Sequence, residues 1–184
     1  MKTAMIRLVA LAALASGALS CGGGSAAPSC NGTGCTCMAA ACTCSAGTDC
    51  NANCGASPCT ITCDTASKCN ASSTVATTVV CADTSQCKGM GGDASHITCN
   101  SSSKCELKAG ANSSATCAGT ADCKLNLGAG STVSCMETAA CDIKCSAGCT
   151  VICATSAACD LHCGVDGGTA STVCPDGRKV CGSC

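Results

Sequence analysis

Cysteine recurs along this chain with a fixed step of eighteen residues, at positions 63, 81, 99, 117, 135 and 153. A second series keeps the same step six residues later, at 69, 87, 105, 123, 141 and 159. Cys44 and Cys50 open an earlier unit, which carries one inserted residue before Cys63. Seven units therefore span 44 to 170. Such a register marks a tandem array, in which each unit buries its apolar side against its neighbours and not within itself.

Counting each unit from its first Cys, column seven is also Cys. Column five is small in every unit: Thr48, Ser67, Ser85, Ser103, Ala121, Ala139 and Ala157. Column nine is mostly apolar, with Leu107, Leu125, Ile143 and Leu161, and column seventeen holds Ile61, Val79, Ile97, Val133 and Val151. Columns eight and ten are mostly polar, so inward and outward residues alternate with a period of two, the signature of strand. Gly92, Gly110, Gly128 and Gly164 at column twelve mark a bend between strands. A fixed repeat of alternating strands and bends predicts an all-β solenoid of about seven coils. With neighbouring coils about 4.8 Å apart, the rod is about 34 Å long.

The core of such a rod must be narrow. The chain has 27 Cys and no Phe, Tyr or Trp, and much of its 47% hydrophobic content is Ala and Cys. Side chains this small do not fill a wide core, so covalent staples are expected to supply the missing stability. Every unit carries C-x5-C, and pairing within a coil joins column one to column seven. Each such closure contributes about 2 kcal/mol by loop entropy. A ladder joining like columns of adjacent coils also fits, because the coil rise lies within the Cα separation a disulfide accepts. Unit parity favours local pairs: Cys44 with Cys50, Cys63 with Cys69, Cys81 with Cys87, Cys99 with Cys105, Cys117 with Cys123, Cys135 with Cys141, and Cys153 with Cys159. Cys54 and Cys59 form an extra pair in the first coil, and Cys145 and Cys149 in the sixth. Cys163 is expected to close on Cys174 and Cys181 on Cys184, leaving Cys30, Cys35, Cys37 and Cys42 for an N-terminal cap.

The N-terminus reads as an export leader. Lys2 and Arg7 precede an uncharged, mostly apolar run from Leu8 to Ala18, too short for a typical membrane span. Ala18-Leu19-Ser20-Cys21 resembles the bacterial lipobox, which implies cleavage before Cys21 and a diacylglycerol thioether on its sulfur. The count agrees: 27 is odd, and setting Cys21 aside leaves 26 cysteines for thirteen disulfides. The expected organisation is a signal peptide at 1–20, a lipidated Cys21 with flexible tether at 21–29, a Cys-rich cap at 30–43, the solenoid at 44–170 and a second cap at 171–184.

Two resemblances follow from these motifs. The C-x5-C halves resemble the disulfide-ribbed β-helices of beetle antifreeze proteins. That likeness implies a Cys pair spanning each coil and an inward Ser or Thr at column four, here Thr84, Ser102, Thr120, Thr138 and Ser156. Those proteins use twelve-residue coils with Thr on both sides of the first Cys, whereas this chain has Thr62-Cys63-Asp64 and Val80-Cys81-Ala82. The chain as a whole is similar to the Cys-rich tandem-repeat lipoproteins of bacteria, a likeness that carries no site residues.

Charge and chemistry narrow the function. Removing Lys2 and Arg7 with the leader leaves eight basic against eleven acidic residues, with no basic run to hold nucleic acid. The two histidines, His96 and His162, stand four coils apart in different columns, and no nucleophile–base constellation accompanies them. The expectation is a non-enzymatic rod without cofactor, exported and held by its lipid on the membrane of the cell envelope, the outer membrane by its sorting residues; plain secretion is the alternative. A second expectation is binding of ice or another regular surface. Columns sixteen and eighteen carry Thr60, Thr62, Thr78, Thr98, Ser114, Thr116, Thr132, Ser134 and Thr150, interrupted by Val80, His96, Ile152, Gly168 and Ala170. A third is metal binding by thiolates, for which Cys35-Thr36-Cys37, Cys42-Thr43-Cys44 and Cys181-Gly182-Ser183-Cys184 have ligand-like spacing.

Overall fold

The computed structural model describes residues 27–184; the leader, Cys21 and most of the tether lie outside the described residues. The fold is a β-solenoid, with no helix among the described residues. Seven parallel strands form one face: Asp49–Asn53, Lys68–Ser72, Gln86–Met90, Lys104–Ala109, Asp122–Leu127, Ala140–Cys145 and Ala158–Cys163. Seven more form the opposite face: Ala41–Cys44, Cys59–Cys63, Thr77–Cys81, His96–Cys99, Ser114–Cys117, Thr132–Cys135 and Thr150–Cys153. We call these the charged face and the neutral face, for the residues they present outward.

The eighteen-residue step appears directly in the register. Cys105 lies beside Cys87 and Cys123, Leu125 beside Leu107 and Ile143, and Val133 beside Ala115 and Val151. The inserted residue of the first unit is absorbed outside the ladder, since Cys44 still pairs with Cys63 and Cys50 with Cys69. Burial alternates along each strand, as in Asp122–Leu127, where Cys123, Leu125 and Leu127 point inward. The core between the sheets consists of sulfur, Ala, Ser and one to three aliphatic side chains per layer.

Disulfides close one long edge of this core. In each coil the column-one Cys ends a neutral-face strand and the column-seven Cys is the second residue of the charged-face strand. The seven ribs are Cys44–Cys50, Cys63–Cys69, Cys81–Cys87, Cys99–Cys105, Cys117–Cys123, Cys135–Cys141 and Cys153–Cys159, with Cα separations of 5.8 to 6.6 Å. Pairing therefore runs within coils and not between like columns. In the four ribs from Cys81–Cys87 to Cys135–Cys141 the turn takes a left-handed residue at column three, Asp83, Ser101, Gly119 or Glu137, and in the first two ribs Gly47 and Ala66 take it at column four. That kink corrects the expectation for column four. Thr84, Ser102, Thr120, Thr138 and Ser156 are exposed, and the inward residue is column five, with Ser67, Ser85, Ser103, Ala121 and Ala139 buried.

The opposite edge is built differently. In the middle coils a buried hydroxyl ladder runs along column fifteen. The backbone N–H groups of Thr77, Ser95 and Ser113 donate to the hydroxyls of Ser95, Ser113 and Ser131 at 3.1, 3.2 and 3.1 Å. Those hydroxyls donate to the carbonyls of Gly92, Gly110 and Gly128 at 2.8, 2.9 and 2.8 Å. The bend takes these N–H groups out of the strand ladder, and each serine supplies the acceptor that a buried donor requires. Column-twelve glycine is needed for close approach: a Cβ on Gly128 would lie 2.5 Å from the Ala111 nitrogen of the preceding coil. Near the ends of the rod disulfides replace the hydroxyls at this edge, Cys54–Cys59 in the first coil and Cys145–Cys149 in the sixth.

Both ends are capped by chain reversal. Ser29–Asn31 pairs antiparallel with Asp49–Asn53, and Cys35–Met38 with Ala41–Cys44, stapled by Cys30–Cys35 and Cys37–Cys42. The strand Ala41–Cys44 already belongs to the parallel stack, so coiling begins before Cys44. At the other end it stops earlier than 170: Thr169–Ala170 turns back antiparallel onto His162–Cys163. The hairpin Thr172–Val173 with Lys179–Val180 then covers Thr150–Val151. The expected pairs Cys163–Cys174 and Cys181–Cys184 do not form; the bonds are Cys163–Cys181 and Cys174–Cys184. The physical reason is docking of the hairpin. Cys181 is seated over Cys149 by hydrogen bonds from its N–H to the Cys149 carbonyl (3.0 Å) and from the Gly148 N–H to its own carbonyl (2.8 Å). That position faces Cys163 across the edge of the core.

Candidate functional site

The neutral face is a two-column array on a rigid support. One column runs Ala41, Thr60, Thr78, His96, Ser114, Thr132 and Thr150; the other runs Thr43, Thr62, Val80, Thr98, Thr116, Ser134 and Ile152. Each outward residue sits beside its counterpart one coil away, so each column repeats at about 4.8 Å along the rod. His96 is the only ionisable side chain among these fourteen, and its Nδ1 lies 2.6 Å from the Ser114 hydroxyl. The array differs from the sequence expectation at both ends. Gly168 and Ala170 do not join it, because the chain has reversed. Thr43 does join it, and Thr36 extends it, since Cys35–Met38 pairs with Ala41–Cys44. The Thr-Cys step shared by Thr43-Cys44 and Thr62-Cys63 is the sequence signal for this extension.

The opposite face carries the charge. Column eight alternates Lys88, Glu106, Lys124 and Asp142 in adjacent coils, and Lys88 Nζ meets Glu106 at 2.8 Å. The hydrogen bond from Lys88, and secondarily its charge, hold the Glu106 carboxyl below the usual glutamate range. Column ten carries Met90, Lys108, Asn126, Lys144 and His162 in successive coils. An open trough of about 470 Å³ runs along this face, floored by Leu107 and Leu125 and flanked by Met90, Lys108, Lys124 and Lys144. His162 Nε2 lies 3.2 Å from Asp160 and 3.8 Å from Asp142. The two histidines thus stand on opposite faces of the rod and do not converge.

All 26 described cysteines are bonded in pairs. The segments with ligand-like spacing are divided among different disulfides. Cys35 pairs with Cys30, Cys37 with Cys42, Cys44 with Cys50, Cys181 with Cys163, and Cys184 with Cys174. Among the described residues the thiolate reading therefore has no thiol to use. No helix of the described residues is long and apolar enough to cross a membrane.

What the fold defines is a class: a disulfide-ribbed parallel β-solenoid with capped ends. Comparison with known proteins finds no matching family model, no matching curated protein and no matching solved structure.

Proposed function

We propose that this chain is a non-enzymatic rod of the bacterial cell envelope, carried on a lipid at Cys21 and presenting its faces at the membrane surface. The observation that carries the reading is the pairing of every cysteine after Cys21, in thirteen local disulfides. Such bonding belongs to an oxidising compartment outside the cytosol, and it leaves Cys21 as the odd sulfur of an odd count. A slim core stapled in every coil makes a spacer that resists proteolysis and bending. The intact mass of protein extracted from membranes, before and after reduction and alkylation, tests this. A lipid increment together with 26 thiols released by reduction is expected. A mature mass without lipid, in protein recovered from the medium, would replace the anchor with plain secretion.

The in-register and nearly charge-free neutral face favours a second reading, binding of ice or another regular surface by its Thr and Ser columns. Assays of thermal hysteresis and ice recrystallisation test it directly. Lack of activity at high protein concentration removes ice from consideration.

A further inference from the structure

The stacked ribs place sulfurs of different disulfides close together. Cys159 Sγ lies within 4.8 Å of both sulfurs of the neighbouring rib, Cys135–Cys141. The same adjacency joins Cys63 to Cys81–Cys87, Cys81 to Cys99–Cys105, and Cys99 to Cys117–Cys123. Exposure divides these contacts into two groups. The cysteines from 63 to 123 in these ribs are buried at 2% exposure or less, whereas Cys153 and Cys159 are both partly exposed at the C-terminal end. Cys135 and Cys141 are again buried.

We propose that Cys153–Cys159 is an exchange-competent disulfide that takes electrons from small dithiols and passes them inward to Cys135–Cys141. The steps balance. One thiolate of the dithiol attacks Cys153 Sγ, breaking the rib and releasing Cys159 as thiolate. The second thiol of the reductant resolves the mixed disulfide, leaving as a cyclic disulfide and freeing Cys153. Cys159 then attacks Cys141 Sγ, forming an inter-coil bond and releasing Cys135. Cys153 attacks Cys159 Sγ, which restores the outer rib and releases Cys141. The net change is oxidation of one dithiol to its disulfide and reduction of the buried rib to two thiols, with two electrons and two protons transferred. Sulfurs already near contact distance need only a small shift to line up for this displacement. The rib Cys117–Cys123 is the next in the stack beside Cys135–Cys141, but neither Cys135 nor Cys141 has its sulfur within 4.8 Å of both sulfurs of that rib. It is therefore shielded from this route.

The test is limited reduction of the native full chain with dithiothreitol, followed by acid quench, alkylation and peptide mapping. Label is expected at Cys135 and Cys141 as well as at Cys153 and Cys159, while Cys117 and Cys123 remain unlabelled. A double variant, C153S with C159S, separates exchange from fraying of the rod's end. Exchange predicts loss of label at Cys135 and Cys141; fraying predicts that it persists or increases, and that result overturns the proposal. Should the double variant fail to fold, C153S alone decides. Its unpaired Cys159 is expected to form a cross-link to Cys135 or Cys141 detectable by mass spectrometry, and a Cys159 that stays free with Cys135–Cys141 intact refutes the transfer.

Discussion

Ser103 and Ser113 are both buried serines of the same rod, at 0% and 2% exposure, yet replacing each with Ala is expected to change stability in opposite directions. The Ser113 hydroxyl accepts the Ser95 N–H at 3.2 Å and donates to the Gly110 carbonyl at 2.9 Å. Ser113→Ala leaves the buried Ser95 N–H with no acceptor and removes a donor from Gly110. An unsatisfied buried donor costs on the order of 1–3 kcal/mol, so with the weaker carbonyl loss the variant is expected to lose about 2–3 kcal/mol. Ser103 sits in column five, and its hydroxyl is the one buried side-chain oxygen or nitrogen without a partner among the described residues. Ala121 and Ala139 occupy the same column in later coils at 0% exposure, so the site accepts Ala without rearrangement. Ser103→Ala removes a desolvated hydroxyl that gains nothing in return, and is expected to be neutral or to stabilise by up to about 1 kcal/mol. Guanidinium unfolding with the disulfides intact reads the difference, about 3 kcal/mol between the variants. Amide exchange should show Ser95 losing protection in Ser113→Ala alone. The reasoning fails if Ser103→Ala destabilises the rod as much as Ser113→Ala, or if the Ser95 amide stays protected.

Other perturbations follow from the same structure. Gly128→Ala would press a Cβ against the Ala111 nitrogen at 2.5 Å and the Gly110 carbonyl carbon at 2.6 Å; a loss of about 1–3 kcal/mol is expected on unfolding, because both obstacles are backbone. Replacing Cys163 and Cys181 together with Ser opens a closure with a sequence separation of 18. By loop entropy this costs about 3 kcal/mol, against about 2 for a rib, and proteolysis should reach the 164–184 segment first. Glu106 is held below the ordinary glutamate range by Lys88. The pair therefore supports the fold above the unfolded carboxyl's pKa, and its contribution is lost as pH falls through the lowered value. Lys88→Ala should raise the Glu106 midpoint in a carboxyl NMR titration, and an unchanged midpoint would show that the hydrogen bond does not form in solution.

The coil was legible in the sequence because its cause is periodic. Each layer rests on an identical layer, so the inward positions repeat every eighteen residues, and Leu107, Leu125, Ile143 and Leu161 identify themselves by spacing alone. The C-x5-C ribs were legible for the same reason, and the smallness of column five already held the signal that Ser67, Ser85 and Ser103 point inward. The column-four expectation failed because it came from a different coil length: the left-handed residues Asp83, Ser101 and Glu137 turn the loop so that column four meets solvent.

The neutral face was read in part, through its Thr and Ser columns. Thr43 and Thr36 joined it, and Gly168 and Ala170 left it, only in three dimensions, since where coiling starts and stops depends on which strand finds a partner. The end pairings followed the same logic. Cys174 is nearer to Cys163 in sequence than Cys181 is, but the hairpin carrying Cys181 docks over Cys149 and presents that sulfur to Cys163. By itself the sequence determined the repeat, its strands and its inward columns, because those need only identical neighbours. The tertiary structure decided the caps, their disulfides and the extent of the outer faces, because at the ends of a stack there is no identical neighbour, and backbone hydrogen bonding selects among several possible partners.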